Sequence, residues 1–599
     1  MKMRGILRVG LMVLLAAVAS VGIARGQVKG EYTDRNGVTW EYEEIVAGTT
    51  CSIGPKDRNS ISGFVKIPEK AEGIKVVSIR ETAFWGCSGL TAVDIPSSVT
   101  VIGASAFWDC SGLTAVTIQG SVTVIGSSAF HGCSSLTAVT IPGSVTKIGG
   151  GAFSGCSSLT AVDIPSSVTE IGNGAFSGCS GLKSFEVESE NKNYCAAGGV
   201  LFTKDIATLI CYPGGKAEES YTIPGSVTEI GENAFNGCSG LTAVDIPSSV
   251  TKIGETAFNG CSGLKAVDIP SSVTEIGERA FAWCSGLIAV TIPSSVTKIG
   301  EGAFVWCSGL KSFEVESGNK NYCAAGGVLF TKDKATLICY PGGKAEESYT
   351  IPGSVTEIGD YAFAGFDGLT SVTIPSSVTE IGWYAFSGCS GLNAVYWLAK
   401  ANCRVGGDVF TRIASPATLY VRQGEKAAIK GNGKTWWSKF TIMEGYVVTF
   451  KDSDGNKLGE QLVKPNNGTA TAPTAPTREG YTFVEWQRDG KKYDFSKKVE
   501  KDITLVAVWK KADHQGTAVE SVQLAAVRVV RNPVGEVLEL EGMERAARVE
   551  VYSVVGARVH AEALRGEPRV AIDARGWGSG VYVVRVVASD GAKTLRVVK

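Results

Sequence analysis

The chain has 599 residues, 44% of them hydrophobic, enough for several domains and an ample core. Its 58 Lys and Arg balance 59 Asp and Glu, a net charge of -1 that supplies no basic field for nucleic acid, so DNA and RNA are set aside as partners. Seventy-four glycines in so hydrophobic a chain point to many tight turns, and only three histidines are available for acid–base or metal chemistry.

At the N-terminus Lys2, Arg4 and Arg8 precede an apolar run from Val9 to Ile23, and Ala24 and Gly26 form a small-x-small cleavage pattern. This reads as a secretory signal peptide over residues 1–26, cut before Gln27. A membrane anchor would need about 20 apolar residues, more than this interrupted run supplies. No cysteine follows until Cys51, which argues against lipid modification, and no later segment is long and apolar enough to span a bilayer. The mature chain is expected to be exported to the outer cell surface or beyond, with no transmembrane anchor. Residues 27–80 are assigned to an N-terminal cap and 81–445 to a repeat array.

In that array Cys87, Cys110, Cys133, Cys156 and Cys179 stand 23 residues apart. Cys238, Cys261, Cys284 and Cys307 resume the interval, and Cys389 belongs to the same series. Each sits in near-identical text, such as "AFWDCSGLTAVTI" or "AFNGCSGLKAVDI", followed by "PSSVTKIG" or a close copy. A fixed short period means a solenoid. Two longer intervals of 59 residues each insert 36 residues containing "NKNYCAAGGVLFTKD", and the larger block recurs 128 residues on, as a duplication would leave it.

Within one unit Leu90, Val93 and Ile95 point inward from a short strand, Val99 and Ile102 from the next, and Ala106, Phe107 and Cys110 fill the corner. Burying about seven such side chains contributes roughly 10–20 kcal/mol. Ordering the coil costs more, at ~1–2 kcal/mol per backbone residue, so a coil is stable only when stacked on its neighbours.

Equivalent cysteines on stacked coils lie ~4.8 Å apart with parallel Cβ vectors, which suits neither a disulfide nor a tetrahedral zinc site. Phe366 takes the cysteine position in one coil, which a thiol function at every rung would not permit. The ten cysteines are therefore expected to form a buried packing ladder. His131 near Cys133 would make a nucleophile pair, but no other unit repeats it. Cys195 and Cys211, with their copies Cys323 and Cys339, fall in a segment that reads as a hairpin whose register does not place them opposite each other. A disulfide there is left open.

Strand positions three and five are expected on an exposed, concave sheet. They supply Asp94, Thr117, Thr140, Asp163, Asp245, Asp268, Thr291 and Glu314 as candidate ligand-binding residues, although any water-facing strand surface is polar. On the other strand Glu229, Lys252, Glu275 and Lys298 alternate in sign, which helps to set register.

"IPSSVTEIGERAFAWCSGL" and "NYCAAGGVLFTKDKATLICYPGGK" resemble the BspA-like leucine-rich repeats of bacterial surface proteins, over about residues 60–445. "ATLYVRQGEKAAIKGNGKTWWSKFTIMEG" resembles the segment that closes such arrays. The resemblance implies adhesion, with host matrix proteins such as fibronectin and fibrinogen as ligand types, and carries no catalytic residues.

Residues 446–510 lose the period. "PTREGYTFVEW", "YDF" and "ITLVAVW" resemble the Listeria-Bacteroides (internalin B-type) repeat, which implies a small β-grasp-like surface module. "DSDGN" presents Asp452, Asp454 and Asn456 at alternating positions, but Val463 stands where a calcium loop needs its glutamate, so a plain turn is expected. A linker over 511–525 precedes about seven alternating strands over 526–599, read as an all-β, Ig-like sandwich. Asn532, Pro533, Gly556, Gly580, Tyr582 and the basic end "RVVK" resemble the type IX secretion C-terminal sorting domain, with Arg531 a small departure. That resemblance implies the type IX machinery as a partner and removal of the tail after export.

The fold class is thus mainly β: a leucine-rich-repeat solenoid of 23-residue coils, a β-grasp-like module and a β-sandwich. The expected function is binding of a host extracellular-matrix protein, another bacterial surface or a glycan, the alternative being a spacer or coat component. No nucleophile elbow, metal-ligand spacing or phosphate loop occurs, so neither catalysis nor a cofactor or metal is expected.

Overall fold

The computed structural model describes residues 28–430 and 435–511, then 528–529, 537–544, 546, 548–553, 558–564, 567–577, 581–588 and 591–598. The expected signal peptide, most of the linker, and Asn532, Pro533, Gly556 and Gly580 lie outside the described residues. The protein is mainly β and only 2% helical, and its 23-residue coils form a β-solenoid of about 17 turns. Two compact units divide it. The first takes in the chain up to Gly263 with Ile269–Cys284 and Ser295–Phe304, and the second takes in Leu264–Asp268, Ser285–Ser294 and everything from Val305.

In the first unit the cap is an antiparallel meander of Lys29–Thr33, Thr39–Val46 and Thr50–Pro55. Its last strand pairs in parallel with Ile74–Ile79 and so starts a ladder of two-residue strands, Val101–Ile102, Val124–Ile125, Lys147–Ile148 and Glu170–Ile171. The second ladder runs through Gly63–Lys66, Leu90–Ile95, Ala115–Ile118 and Ala138–Val139. Between the ladders lies one continuous core from Trp40 to Cys211. Its corner is a column of rings: Phe84, Phe107, Phe130, Phe153 and Phe176 stack with centroids 4.8, 5.1, 5.4 and 5.5 Å apart.

Two glycine positions make the stacking feasible. In the "IG" pair a Cβ added to Gly126 would stand 2.7 Å from the Ala104 amide of the preceding coil. Just before the cysteine the backbone is left-handed, as at Gly132 and Gly155 (φ 72° and 74°), where glycine carries no steric penalty.

The insertion is spliced into this ladder. Tyr194–Ala197, Val200–Thr203 and Thr208–Cys211 form an antiparallel meander whose third strand pairs in parallel with Glu229–Ile230. Asn191 pins its entry: buried, it donates to Pro165 O and Val168 O and accepts from the amides of Asn193 and Tyr194. Cys195 faces Phe202 and Cys211 faces Leu201, and Cys323 and Cys339 repeat that register; all four thiols are free.

In the second unit Ser348–Thr350, Ser371–Ile374, Ala394–Trp397 and Ala417–Arg422 pair in parallel and lead to Phe440–Lys451. That strand crosses the 445/446 boundary. Its first half pairs with Ala417–Arg422, and its second half pairs with Lys457–Val463 and Ile503–Lys511. Solenoid and module thus share a sheet, and among the described residues 446–511 contain no helix. At "DSDGN" the Asp452 carboxylate accepts from the amides of Asp454 and Asn456, a turn held by its own backbone. Among the described residues of the C-terminal part, seven strands form a three-stranded and a four-stranded sheet, with Tyr582 buried in their core.

Candidate binding surface

The coil strands bury every second residue. Ala115–Ile118 and Ala161–Ile164 alternate exposed and buried, so Val116 and Ile118, and Val162 and Ile164, face the core. Thr117, Thr140, Asp163, Asp245, Asp268 and Glu314 are exposed. Asp94 and Thr291, expected to be exposed, are only half-exposed. The cause at Asp94 is local: Lys66 of the cap reaches its carboxylate at 3.6 Å, and Gln119 donates to it at 3.4 Å from the next coil.

The register brings several of these residues together. Asp94 lies beside Thr117, Asp163 beside Glu186, Asp245 beside Thr222, and Thr291 beside Glu314. Asp163 and Glu186 place two exposed carboxylates side by side, an arrangement that attracts cations or basic side chains. After Ser184–Val187 the insertion's meander interrupts the spacing, so the candidate residues form short groups.

Much of the repeated polarity serves the coils themselves. Ser144 donates to Val122 O and Ser167 to Val145 O at 2.6 Å, while Thr146 donates to Thr123 O and Thr169 to Thr146 O at 3.2 Å. The recurrent "SVT" and the serine that opens it therefore join each coil to the one before it.

All ten ladder cysteines are buried. The thiols of Cys110, Cys133, Cys156 and Cys179 donate to the carbonyls of Phe84, Phe107, Phe130 and Phe153 at 3.0–3.2 Å, and Cys261, Cys284 and Cys389 do the same in their coils. Burial pushes Cys87, Cys179, Cys284 and Cys389 up to about 12, so these thiols stay protonated at neutral pH. His131 does not engage Cys133; its ring packs on Trp108 at 4.1 Å. Among the described residues no group of three His, Cys, Asp or Glu side chains is placed to hold a metal ion.

Sequence reasoning missed the corner aromatics. Trp85, Trp108 and His131 stand on successive coils where later copies carry Ser, Asn, Ala or Val, and Trp383 stands where the nearest preceding coils carry Glu or Asp. These departures from an otherwise constant text were the available signal.

Parallel ladders, inward Leu-x-x-Val-x-Ile and coil-to-coil hydrogen bonds define a leucine-rich-repeat solenoid. The BspA type leucine rich repeat region matches residues 75–196, 212–324 and 341–415, and the chain belongs to that family. Residues 446–508 match the Listeria-Bacteroides repeat domain. Among solved structures, a leucine-rich repeat protein from Bacteroides ovatus is 25% identical over 67% of this chain and 98% of its own, with a TM-score of 0.35. A leucine rich cell surface protein from Faecalibacterium prausnitzii is 28% identical over 62% and 95%, with a TM-score of 0.32. The pneumococcal vaccine antigen PcpA is 20% identical over 70% and 99%, with a TM-score of 0.40. No curated protein matches the chain. Family and fold are those of non-enzymatic repeat proteins. Among the described residues no helix is long and apolar enough to cross a membrane.

Proposed function

We propose that this is an exported surface protein whose repeat array binds a host extracellular-matrix protein, another cell or a glycan. Residues 1–26 direct export, and the type IX machinery recognises residues 526–599 and removes them outside. The reading rests on one observation: the exposed residues of the coil strands repeat in fixed register, with Asp163 and Glu186 as a paired acidic feature. Regular spacing lets many weak contacts act together on an extended partner.

The test is binding of the full chain to fibronectin, fibrinogen and a glycan panel, beside a variant with Asp94, Asp163, Asp245 and Asp268 changed to lysine and checked for folding. Saturable binding that the variant loses supports the reading; binding the variant keeps removes the site from this face. The spacer reading draws on the serine and threonine hydroxyls already committed between coils. A spacer gains no stability from any of these partners, whereas a binder is stabilised by mass action.

A further inference from the structure

Where the solenoid nears its end in the second unit, the wall carries a cleft of about 510 Å³ lined in part by Trp383, Asp408, Thr411, Trp436, Ser438 and Lys439. That size lies within the about 300–1,000 Å³ usual for small-molecule sites. Position 383 corresponds to Ala104, Ser127, Gly150 and Asn173 in earlier coils, so a tryptophan here is not demanded by the repeat. The residue is 57% exposed. The ring rests on Gly407, where an added Cβ would stand 2.3 Å from it, and the Trp383 amide donates to Asp360 at 2.6 Å.

Trp436, another lining residue, is held by stacking on Trp397 at 4.7 Å. Its buried Nε1–H has no hydrogen-bond partner among the described residues. Thr411 is oriented by donating to Asp408 O at 2.9 Å and by a 2.7 Å hydrogen bond with Ser387.

We propose that this cleft binds a neutral sugar ring of an oligosaccharide. A pyranose has an apolar C–H face and a rim of hydroxyls that both donate and accept. The indole of this exposed residue matches the face. Asp408 accepts, Lys439 donates, the Ser438 hydroxyl does either, and the Thr411 oxygen, whose proton goes to Asp408 O, accepts, which matches the rim. One carboxylate and one ammonium offset each other, so the lining favours neither an anionic phosphate nor a cation.

None of the lining residues is one of the coil-strand candidates, so each reading fails on its own variant. The full chain is screened on an array of neutral oligosaccharides of glucose, galactose, mannose and N-acetylhexosamine, and hits are titrated by tryptophan fluorescence. At least one should bind saturably. Trp383→Ala should weaken it at least tenfold, Trp383→Phe should restore part of the loss, and Trp85→Ala, remote in sequence and half-exposed, should leave it unchanged. An unaltered thermal transition in Trp383→Ala shows that folding is intact. The proposal is overturned if no array member binds, if Trp383→Ala binds as well as the parent, or if adenosine is bound in place of every sugar.

Discussion

Between residues 81 and 187 the thiol and serine contacts recur from coil to coil: Cys133 on Phe107 O is followed by Cys156 on Phe130 O, and Ser144 on Val122 O by Ser167 on Val145 O. The junction of the last coils with residues 446–508 is built differently. There the Glu460 side chain, only 5% exposed, meets Arg422 at 3.1 Å and Lys457 at 2.8 Å and accepts from the Ser376 amide at 2.8 Å. Lys457 also donates to the Ser376 hydroxyl, and the Val447 amide donates to Asp502. The contacts of Glu460 with Arg422 and Ser376, and of Lys457 with Ser376, join two different modules, so the repeat does not duplicate them. A ladder of equivalent neutral contacts spreads its stability over neighbours, whereas a single buried carboxylate is tolerable only while its partners remain in place.

The largest effect is expected in the ring column. Phe130 is fully buried between Phe107 and Phe153, and Phe130→Ala should cost about 3–5 kcal/mol in urea unfolding. In a nearest-neighbour array the fall in hydrogen-exchange protection should centre on the coils flanking residue 130. A uniform fall across the first unit would break the contrast between a shared ladder and a single junction.

Next comes Glu460→Gln, which keeps the shape and removes the charge. Burial raises the Glu460 pKa, but hydrogen bonds from Lys457 and Ser376 outweigh it, and the net shift is downward. A depressed folded-state value means that its stabilisation is complete above the ordinary glutamate pKa of about 4.3 and is lost as pH falls through the folded value. The variant should lose about 1–3 kcal/mol of docking stability at neutral pH, read as faster exchange over 446–463. Parent and variant should converge in acid. Parallel pH profiles would show that Glu460 does not hold the junction.

The contrast also explains what was legible beforehand. Leu90, Val93 and Ile95 declare their inward direction because a two-residue alternation recurs with every period. Hydroxyl roles stay hidden, because the acceptor of Ser144 is a backbone carbonyl one coil back, which no side-chain pattern records. Asp94 reads as exposed because its own coil looks like the rest, while Lys66 comes from the cap, where the repeat text does not reach. The Arg422–Glu460 pair is invisible for a related reason: it spans 38 residues across two different modules, and no second copy in the text marks it. Both 36-residue insertions read correctly as hairpin-like, but the parallel pairing of Thr208–Cys211 with Glu229–Ile230 depends on how the coil closes around the core.

A smaller effect separates the two kinds of cysteine. Cys156→Ala should cost about 1 kcal/mol, because it removes the packing and the hydrogen bond of one thiol. Cys195 and Cys323, half-exposed in the insertions, should react with a thiol reagent in the native protein. Mass spectrometry of the native chain should find Cys110, Cys133, Cys156 and Cys179 unmodified until denaturant is added. Modification of these four at the rate of Cys195 would contradict their burial.

The smallest effect lies in the charges beside the two-residue strands. Lys252 meets Glu229 at 2.8 Å with both side chains near half-exposed, so Lys252→Ala should cost only about 0.2–1 kcal/mol. In the second unit the same position pairs Glu357 with Glu380, two like charges, while Glu380 also meets Arg404. Glu357→Lys turns that repulsion into attraction and should stabilise by a comparable amount. Both shifts are electrostatic between exposed groups, so both should shrink towards zero at about 1 M salt, where screening acts within about 3 Å. Opposite signs at low salt that merge at high salt would show that alternation in the first unit tunes register rather than holding the coils together. Shifts that persist in salt would instead mean that these side chains contribute through packing.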